Sequence, residues 1–489
     1  MKLKTICAIL TLVISGLAYV ETARAKSLDI GGIHQRLLAP TTPAKLAISG
    51  NKLLAQNTNN SNPKLSNELI LPNTSGQVQI TGKQSITVQQ ALDIAFRNNR
   101  QVQAARLTAD RSQIGIREAR AAQALQVGLT GSLQNQGSSL IIGTQSPLGN
   151  STGTDARAQL QATYNIFSAG RNQSSVQAAE EQVRFDRLDL LRVEQLIRSQ
   201  VLTAYYDLQA ADSSVIINQA AVTDATRSLS DAQLQERAGI GTKFDILRAQ
   251  VQLATANQDL TNSRGQQQTA RKKIAQILVV DNNTEFTVAD TVRETGSWSY
   301  SLEDSIVIAF RNRPEVKQQL VLRNVSEQQQ IVASAADLPQ VDLVASYGLG
   351  KSISSNTSAQ DNYSLGAQLR WNFWDGGAAG ARASKERVNQ EIYENQFTNT
   401  RNQIRFEVEQ AYSSLGSSRT NISTATQALK QAEESLKLAR LRFQSGVGTQ
   451  TDVIQSQTEL ARSRGNRIAA ILTYNRALAS LRTATVINE

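Results

Sequence analysis

The amino-acid sequence contains one long unit twice, and this duplication constrains the fold more than any other feature. Segments of the first half recur in the second half at two offsets, 214 residues early in each copy and 207 residues later on. The matched segments are Ala95–Val102 with Ala309–Val316 at the first offset, and Tyr164–Gly170 with Trp371–Gly377, Ala204–Tyr205 with Ala411–Tyr412, and Gly239–Thr242 with Gly446–Thr449 at the second. Copies of about 200 residues are too long for solenoid repeats, so a whole structural unit is duplicated. We expect a first repeat at residues 85–280, a connector at 281–299 and a second repeat at 300–489.

The N-terminal 25 residues have the pattern of a secretory signal peptide. Lys2 and Lys4 precede an apolar run, and Ala23-Arg24-Ala25 is typical of a cleavage site. Cleavage after Ala25 removes Cys7, the single cysteine of the sequence. Residues 26–84 are rich in Asn, Ser and Pro and have neither a helical nor a strand period, which predicts a flexible linker.

Residue types that build metal and redox sites are nearly missing. The 489 residues include one Cys, one Met and one His, and that histidine, His34, lies in the predicted linker. We therefore expect no metal site and no cofactor. No catalytic residues stand out either, so an enzyme is the least favoured class. The net charge of +10 comes from lysine and arginine residues that are dispersed along the chain, which argues against nucleic-acid binding.

Two stretches in each copy alternate apolar and polar residues, which predicts a pair of strands per copy. The apolar positions are Val127, Leu129 and Leu133 with Leu160, Ala162, Tyr164 and Ile166 in the first copy, and Val341, Leu343, Ala345, Tyr347 and Leu349 with Leu365, Ala367, Leu369, Trp371 and Phe373 in the second. Loops rich in Gly, Ser, Thr and Asn are expected at 134–155 and 351–363. A soluble hairpin with one buried face has the same pattern. The signal peptide, strand lengths near ten residues and terminal aromatic residues favour a membrane β-barrel.

A seven-residue apolar step predicts long coiled-coil helices. Its members are Leu208, Val215, Val222 and Leu229 in the first copy, and Leu415, Ile422, Leu429, Leu436 and Phe443 in the second. The 68 residues from Arg171 to Ala238 contain neither Gly nor Pro, and as one helix they would extend about 100 Å. Gly239 and Gly446 mark the turns, after which Ile246, Leu253 and Leu260 continue the step. Each copy therefore contains a long antiparallel helical hairpin.

Four strands are too few to close a membrane barrel, since closed barrels of single bacterial chains begin at about eight strands. Several chains must then share one barrel: two chains supply eight strands and three supply twelve. Four long helical passes per chain extend this barrel as a tube. A shared barrel that opens into a helical tunnel is a conduit.

These residues resemble the TolC-like outer-membrane efflux proteins. The resemblance covers nearly all of residues 85–486 and rests on the duplication, on Leu338-Pro339-Gln340-Val341, on the strand exits ending at Gly170 and Gly377, and on Arg442–Thr449 before Asp452. It implies an all-α coiled-coil tunnel in the periplasm joined to an outer-membrane β-barrel of twelve strands, closed by a homotrimer in the outer-membrane lipid. It also implies a periplasmic adaptor protein as a partner, linking the duct to an inner-membrane transporter.

The resemblance places the periplasmic entrance at the two hairpin tips. For adaptor docking it implies Gly239, Gly241, Thr242, Gly446, Gly448 and Thr449, although any helical hairpin needs a glycine turn. Asp245 and Asp452 follow, and three chains would place six carboxylates in a ring; helix capping is the rival interpretation of both. A second acid found three residues further on in some members is replaced here by Arg248 and Gln455. Closure at the entrance is therefore assigned as well to Arg237, Lys243 and Gln450.

The sequence thus predicts a passive outer-membrane exit duct for drug efflux, type I protein secretion or both. A periplasmic coiled-coil adaptor is the main alternative, but it would have one hairpin and compact β domains. A secreted filament or adhesin would not need strands that face lipid.

Overall fold

The computed structural model describes residues 82–138, 151–279, 284–353 and 358–487; the predicted signal peptide and the predicted linker up to residue 81 lie outside them. The helices are α1 Val88–Asn98, α2 Arg100–Ala121, α3 Arg171–Arg237, α4 Lys243–Leu278, α5 Leu302–Asn312, α6 Pro314–Ser334, α7 Ala378–Gln444 and α8 Gln450–Thr485. The strands are β1 Gly82–Ile86, β2 Gln126–Ser138, β3 Ser151–Phe167, β4 Thr284–Val288, β5 Gln340–Ser352 and β6 Gln360–Arg370.

The two halves of the chain repeat the same series of elements. α3 and α7 both contain 67 residues, and the return helices α4 and α8 both contain 36. The two long helical hairpins predicted from the seven-residue step and the glycine turns are therefore confirmed, and they have equal lengths. Among the described helices, none combines 18 residues with enough apolar character to cross a bilayer.

The four long strands form one antiparallel sheet in the order β2-β3-β5-β6. The central pair, β3 and β5, joins the two repeats, with Ala162 opposite Ala345. Apolar side chains that the alternation predicts to share a face are exposed, including Leu129 at 74% and Leu369 at 63%. In the described part of the chain, β2 and β6 each pair on one side only, so the sheet has two open edges.

Several strand boundaries differ from the prediction. β2 extends to Ser138, β3 begins at Ser151 and β6 at Gln360, so the strands continue into the predicted loops. β6 ends at Arg370, whereas the apolar alternation continues to Phe373. The indole Nε1 of Trp371 donates to the Asp337 carbonyl at 3.0 Å, which ties the chain to the segment before β5. The carboxylate of Asp375 then accepts the backbone N–H groups of residues 377–379 at the start of α7. Helix capping therefore ends the strand early.

The helices form an arc. α3 packs against α2 and α6 near the sheet and against α4 and α8 further away, and α7 packs against α6 and α8. The order across the arc is α2-α3-α6-α7 near the sheet and α4-α3-α8-α7 near the hairpin turns. The open edges of the arc are α2 and α4 on one side and α7 on the other.

The predicted coiled-coil seam is buried in the second repeat and partly replaced in the first. Leu415, Ile422, Leu436 and Phe443 are buried, and Leu429 packs against the same cluster as the last two. In the first repeat Leu208 is buried, but Val215, Val222 and Leu229 are half-buried. Small residues, Ala225, Ser228 and Ala232, are buried there instead. Short side chains allow α8 to pack closely against α3 at this level.

A short parallel pair, β1 with β4, was not predicted. The expected boundary at residue 85 falls inside β1, and β4 lies in the expected connector 281–299. Strands of five residues are too short to establish an alternation. Ile86 and Phe286 from this pair are fully buried against α3 and the end of α4. The pair therefore anchors both ends of the first repeat to its hairpin.

Candidate functional site

The two glycines of each hairpin tip have different geometric roles. Gly239 and Gly446 adopt φ values of 79° and 75°, in the left-handed region that favours glycine. At Gly241 an added Cβ would lie 2.9 Å from the Glu236 nitrogen, and at Gly448 it would lie 3.0 Å from the Arg442 carbonyl carbon. The Gly-x-Gly pattern is therefore explained by the turn itself, because one glycine reverses the chain and the other lets it pass the end of the preceding helix.

Both threonines and both aspartates of the tips form capping boxes. Thr242 and Thr449 are the N-caps of α4 and α8, and each hydroxyl accepts the backbone N–H three residues later at 3.2 Å. In return the carboxylates of Asp245 and Asp452 accept the threonine N–H groups at 3.2 and 3.0 Å. The pKa of Asp452 is lowered by its hydrogen bonds with Thr449, first with the backbone and then with the side chain. Both aspartates thus cap the return helices.

The basic tip residues lie at the surface. Arg237, at the end of α3, and Lys243, at the start of α4, are both exposed. No carboxylate lies within 4.0 Å of either in the described part of the chain. The guanidinium of Arg248 lies 4.7 Å from the centre of the Phe244 ring and also contacts the Thr451 hydroxyl, so it bridges the two tips. Within the described residues, no group of three or more His, Cys, Asp or Glu side chains is placed to hold a metal ion.

Gln450, which was expected at the exposed entrance, is instead buried inside the chain with 1% of its surface exposed. Its amide donates to the Ser228 hydroxyl at 2.9 Å across the interface of α8 and α3. Seven residues further along α8, the amide of Gln457 donates to the Asp224 carbonyl. The Asp224 carboxylate in turn accepts from Arg440 at 2.6 Å. These three polar contacts hold the two hairpins together near the tips. The sequence contained a signal for them, since Gln450, Val453, Gln457 and Leu460 follow a seam with steps of three and four.

An apolar residue stands at the apex of each tip. Ile240 and Val447, each between the two glycines of its tip, are 71% and 70% exposed. Exposed apolar side chains at the ends of long helical hairpins are suited to contact another protein. The two tips therefore present similar surfaces, each with a capped helix start and an apolar apex.

Comparison with known proteins identifies the family. The family described as "Outer membrane efflux protein" matches residues 91–279 and 306–485, one segment in each repeat. The chain belongs to the outer membrane efflux protein family. Protein CyaE of Bordetella pertussis is 27% identical over 337 residues, covering 66% of this chain and 69% of CyaE. The outer membrane efflux protein BepC of Brucella suis is 23% identical over 321 residues, covering 64% and 69%.

Solved structures show the same fold. The outer membrane protein VceC of Vibrio cholerae superposes with a TM-score of 0.68 at 17% identity, over 81% of this chain and 95% of VceC. The expected architecture of this efflux protein, a sheet joined to a coiled-coil helical tunnel, is confirmed. It is an outer-membrane channel with its helical part in the periplasm, and the adaptor alternative is excluded. The family is one of channels.

Proposed function

We propose that this efflux protein is a homotrimeric exit duct that passively conducts small molecules, proteins or both to the exterior. A periplasmic adaptor and an inner-membrane transporter would deliver the cargo and the energy, and the chain itself would perform no catalysis. The main observation in support of the proposal is that the arc of helices is open at both edges. The internal duplication makes these two edges complementary to each other. Three chains would close twelve strands and twelve helical passes around one axis.

The duplication indicates what covers the open edges. Inside one chain, α8 of the second repeat packs against α3 of the first. At the offset of 207 residues, α8 is equivalent to α4 and α3 is equivalent to α7. α4 and α7 lie at the two open edges. A neighbouring chain can therefore place its α4 against α7 just as α8 packs against α3.

Burial supports this arrangement. Gln450 and Ser228 are buried, whereas their equivalents Lys243 and Ser435 are exposed. Val453 is buried as well, whereas its equivalent Ile246 is half-buried. The face of α4 that matches the buried face of α8 is thus uncovered in one chain. A groove of about 960 Å³ runs along α7 and α8 beside Ser435, where that face would pack.

Cross-linking tests the trimer. Lys243→Cys combined with Ser435→Cys, treated with a short bismaleimide in outer membranes, should produce a covalent species with three times the chain mass. The matched pair Gln450→Cys with Ser228→Cys occupies the equivalent positions inside one chain and should link without a change in mass. Single-cysteine variants control for chance collisions and for Cys7. Covalent dimers that never extend to trimers, or no linkage from the first pair while the second pair reacts, would refute the ring.

The tips are the proposed adaptor-docking surface and entrance. The two similar apices, with Ile240 and Val447, support docking by a partner that has apolar residues at its own tip. Replacing both with serine should abolish export in cells while the cross-linked trimer still forms. Loss of the trimer, or export at the normal rate, would contradict this assignment.

A ring formed by Asp245 and Asp452 is the proposed source of cation preference at the entrance, with Arg237 and Lys243 opposing it. Each carboxylate accepts the threonine N–H through one oxygen only, so the capping role and the ring are compatible. The double change to Asn should lower the ratio of cation to anion permeability in a planar bilayer. If the ratio of cation to anion permeability equals that of the unchanged protein, the two carboxylates only cap the helices.

A further inference from the structure

A cavity of about 430 Å³ lies far from the tips, where the two repeats and the segment between them meet. Its walls come from α1 and α3 of the first repeat, from residues 290–295 after β4, and from α8 of the second repeat. Nothing in the proposed conduction path uses this cavity. Its apolar lining includes Leu92, Leu202 and Leu478, and its polar lining includes three arginines, Arg198, Arg293 and Arg482.

The walls of the cavity are fixed by hydrogen bonds. The Tyr205 hydroxyl donates to the Asp290 carboxylate at 2.6 Å, and the Val88 N–H donates to the same oxygen at 2.9 Å. On the opposite side the amide of Asn475 donates to the Arg293 carbonyl at 2.9 Å and accepts the Thr295 N–H at 3.1 Å. The segment after β4 is thus held by both repeats, and the cavity is formed before any ligand arrives.

The three guanidinium groups of the cavity have no carboxylate partner. Within the described residues, no carboxylate oxygen lies within 4.0 Å of Arg198, Arg293 or Arg482. Two carboxylates also line the cavity: that of Asp290 is held by Tyr205 and Val88, and that of Glu294 is at the surface. The Arg198 Nε is buried and has no hydrogen-bond partner. A buried donor without an acceptor costs free energy, and an anion in the cavity would remove that cost.

The second repeat shows what Arg198 lacks. Arg405 is the equivalent residue, 207 positions later, and its Nε donates to Glu409 at 2.8 Å, one helical turn away. The residue equivalent to Glu409 in the first repeat is Leu202, which lines the cavity. Glu194, one turn before Arg198, acts on it only at longer range. The first repeat therefore has an apolar side chain where the second has the carboxylate, and this change leaves the guanidinium facing the cavity.

We propose that this cavity binds a phosphate group. The planar guanidinium fork pairs with phosphate through two parallel hydrogen bonds, and several forks around one cavity match its charge and its several oxygens. Leu202 and Leu478 provide contact for the apolar part of a phosphate ester. Such a ligand joins α1 and α3 to α8, so it stabilises the seam between the repeats. This role is independent of conduction and of docking at the tips.

Binding is tested on the full-length protein purified in an uncharged detergent. Inorganic phosphate, phenyl phosphate and dihexanoyl phosphatidic acid are titrated in turn by calorimetry, and the midpoint of thermal unfolding is recorded at each concentration. We expect one site per chain and a midpoint that rises with ligand concentration. Tightest binding of phosphatidic acid identifies a lipid headgroup as the source, and tightest binding of phenyl phosphate identifies a soluble ester.

Variants distinguish the site from general attraction to a basic protein. Arg198→Gln and Arg482→Gln should each weaken binding roughly ten- to hundred-fold. Leu202→Glu supplies Arg198 with the partner that Arg405 already has, and it should abolish binding while the fold is retained. Arg405→Gln removes an arginine that is already paired and should leave binding unchanged. Absence of binding to the unchanged protein, or equal affinities for the unchanged protein and Leu202→Glu, would overturn the proposal.

Discussion

At the scale of the residue, the tip glycines are explained by close packing within each hairpin. Gly241→Ala and Gly448→Ala would place a Cβ within about 3.0 Å of backbone atoms of the preceding helix. We expect each change to destabilise its tip by more than about 1 kcal/mol. Hydrogen–deuterium exchange of the turns and of the first turn of the return helices measures the effect.

Gly265 and Gly465 provide the matched controls for these changes. They lie inside α4 and α8, and an added Cβ there meets no atom within 4 Å. Alanine at these two positions should stabilise the helices by roughly 0.5–1 kcal/mol. Equal effects of alanine at all four glycines would show that the close approach at the tips is relaxed in solution.

Tyr205 carries the second prediction at this scale. Burial, followed by the hydrogen bond to Asp290, raises the pKa of its phenol well above the usual value of about 10. A raised pKa in the folded state means that the phenol contributes its full stability below pH about 10 and loses it as the pH rises further. Tyr205→Phe should lower the unfolding free energy by about 1–3 kcal/mol near neutral pH, since it leaves the Asp290 oxygen short of a donor.

Thermal unfolding between pH 8 and pH 11 checks the sign of this effect, with roughly one pH unit between measurements. The unchanged protein should lose stability above about pH 10, and the Tyr205→Phe variant should show a flatter decline there. Tyr300→Phe, at a partly exposed residue in the segment before α5, should follow the unchanged protein. A variant curve parallel to that of the unchanged protein would mean that another group causes the alkaline loss.

Sequence patterns identified the tip residues, but one of them, Gln450, is buried where an exposed side chain was expected. The Gly-x-Gly-Thr segments and the two aspartates were found because both copies contain them. Gln450 was assigned to closure of the entrance, with Arg237 and Lys243, because the tips lack a second acid. Its burial depends on α3, more than 200 residues away, and on the short side chain of Ser228. Proximity along the chain cannot show which side of a helix another repeat covers.

At the scale of the element, the interface of α3 with α8 and α7 is held by the ion pair of Asp224 and Arg440. Their atoms lie 2.6 Å apart, and about a quarter of each side chain is exposed. Asp224→Asn and Arg440→Gln should each destabilise the tip region by about 1–3 kcal/mol. The free energy lost by the double variant should be about 1 kcal/mol smaller than the sum of the losses of the two single variants.

A neighbouring ion pair on α7 provides the control for this double-mutant cycle. Lys437 and Glu434 lie 3.8 Å apart, and both side chains are about two-thirds exposed. A cycle on this pair should give a coupling near zero, because water screens exposed charges. Exchange rates of the amides in the first two turns of α8 provide the free energies in both cycles. Similar coupling in the two cycles would remove the special role of Asp224 and Arg440.

Periodicity predicted the long helices well and the strand ends poorly. A seven-residue step over many turns determines where α3 and α7 run, and α3 also contains neither Gly nor Pro. The end of β6 depends on a contact of Trp371 with Asp337 and on the capping of α7 by Asp375. The pair β1 and β4 depends on burial against α3. Contacts between distant segments decide such boundaries, and a local pattern does not contain them.

At the scale of the whole molecule, the equal lengths of the two hairpins have a consequence for the ring. α3 matches α7 and α4 matches α8 in residue number, so the tips lie at one level. The proposed contact between chains joins Lys243 of one hairpin to Ser435 of the other. Unequal hairpins would separate these residues by about 1.5 Å for every residue added to one hairpin only.

Heptad insertions test this requirement. Asn218 contacts Ser263 at 3.1 Å across the first hairpin, so seven helical residues inserted after Asn218 and again before Ser263 lengthen both limbs at one level. The equivalent sites in the second hairpin follow Ala425 and Ala469. All the contacts that hold the tips together lie on the tip side of these sites. Lengthening both hairpins should therefore keep the cross-link of positions 243 and 435 and make the particle about 10 Å longer by electron microscopy.

Lengthening the second hairpin alone should have the opposite result. It moves Gln450 about 10 Å past Ser228 and moves position 435 by the same distance from position 243 of the next chain. We expect the cross-linked trimer and export both to be lost, although the sheet and the upper helices are unchanged. The variant with both hairpins lengthened is the control, since it carries the same insertions and the equivalent ones in the first hairpin. A trimer that cross-links equally well with one long hairpin would show that the tips do not close the ring, and closure would then depend on the strands alone.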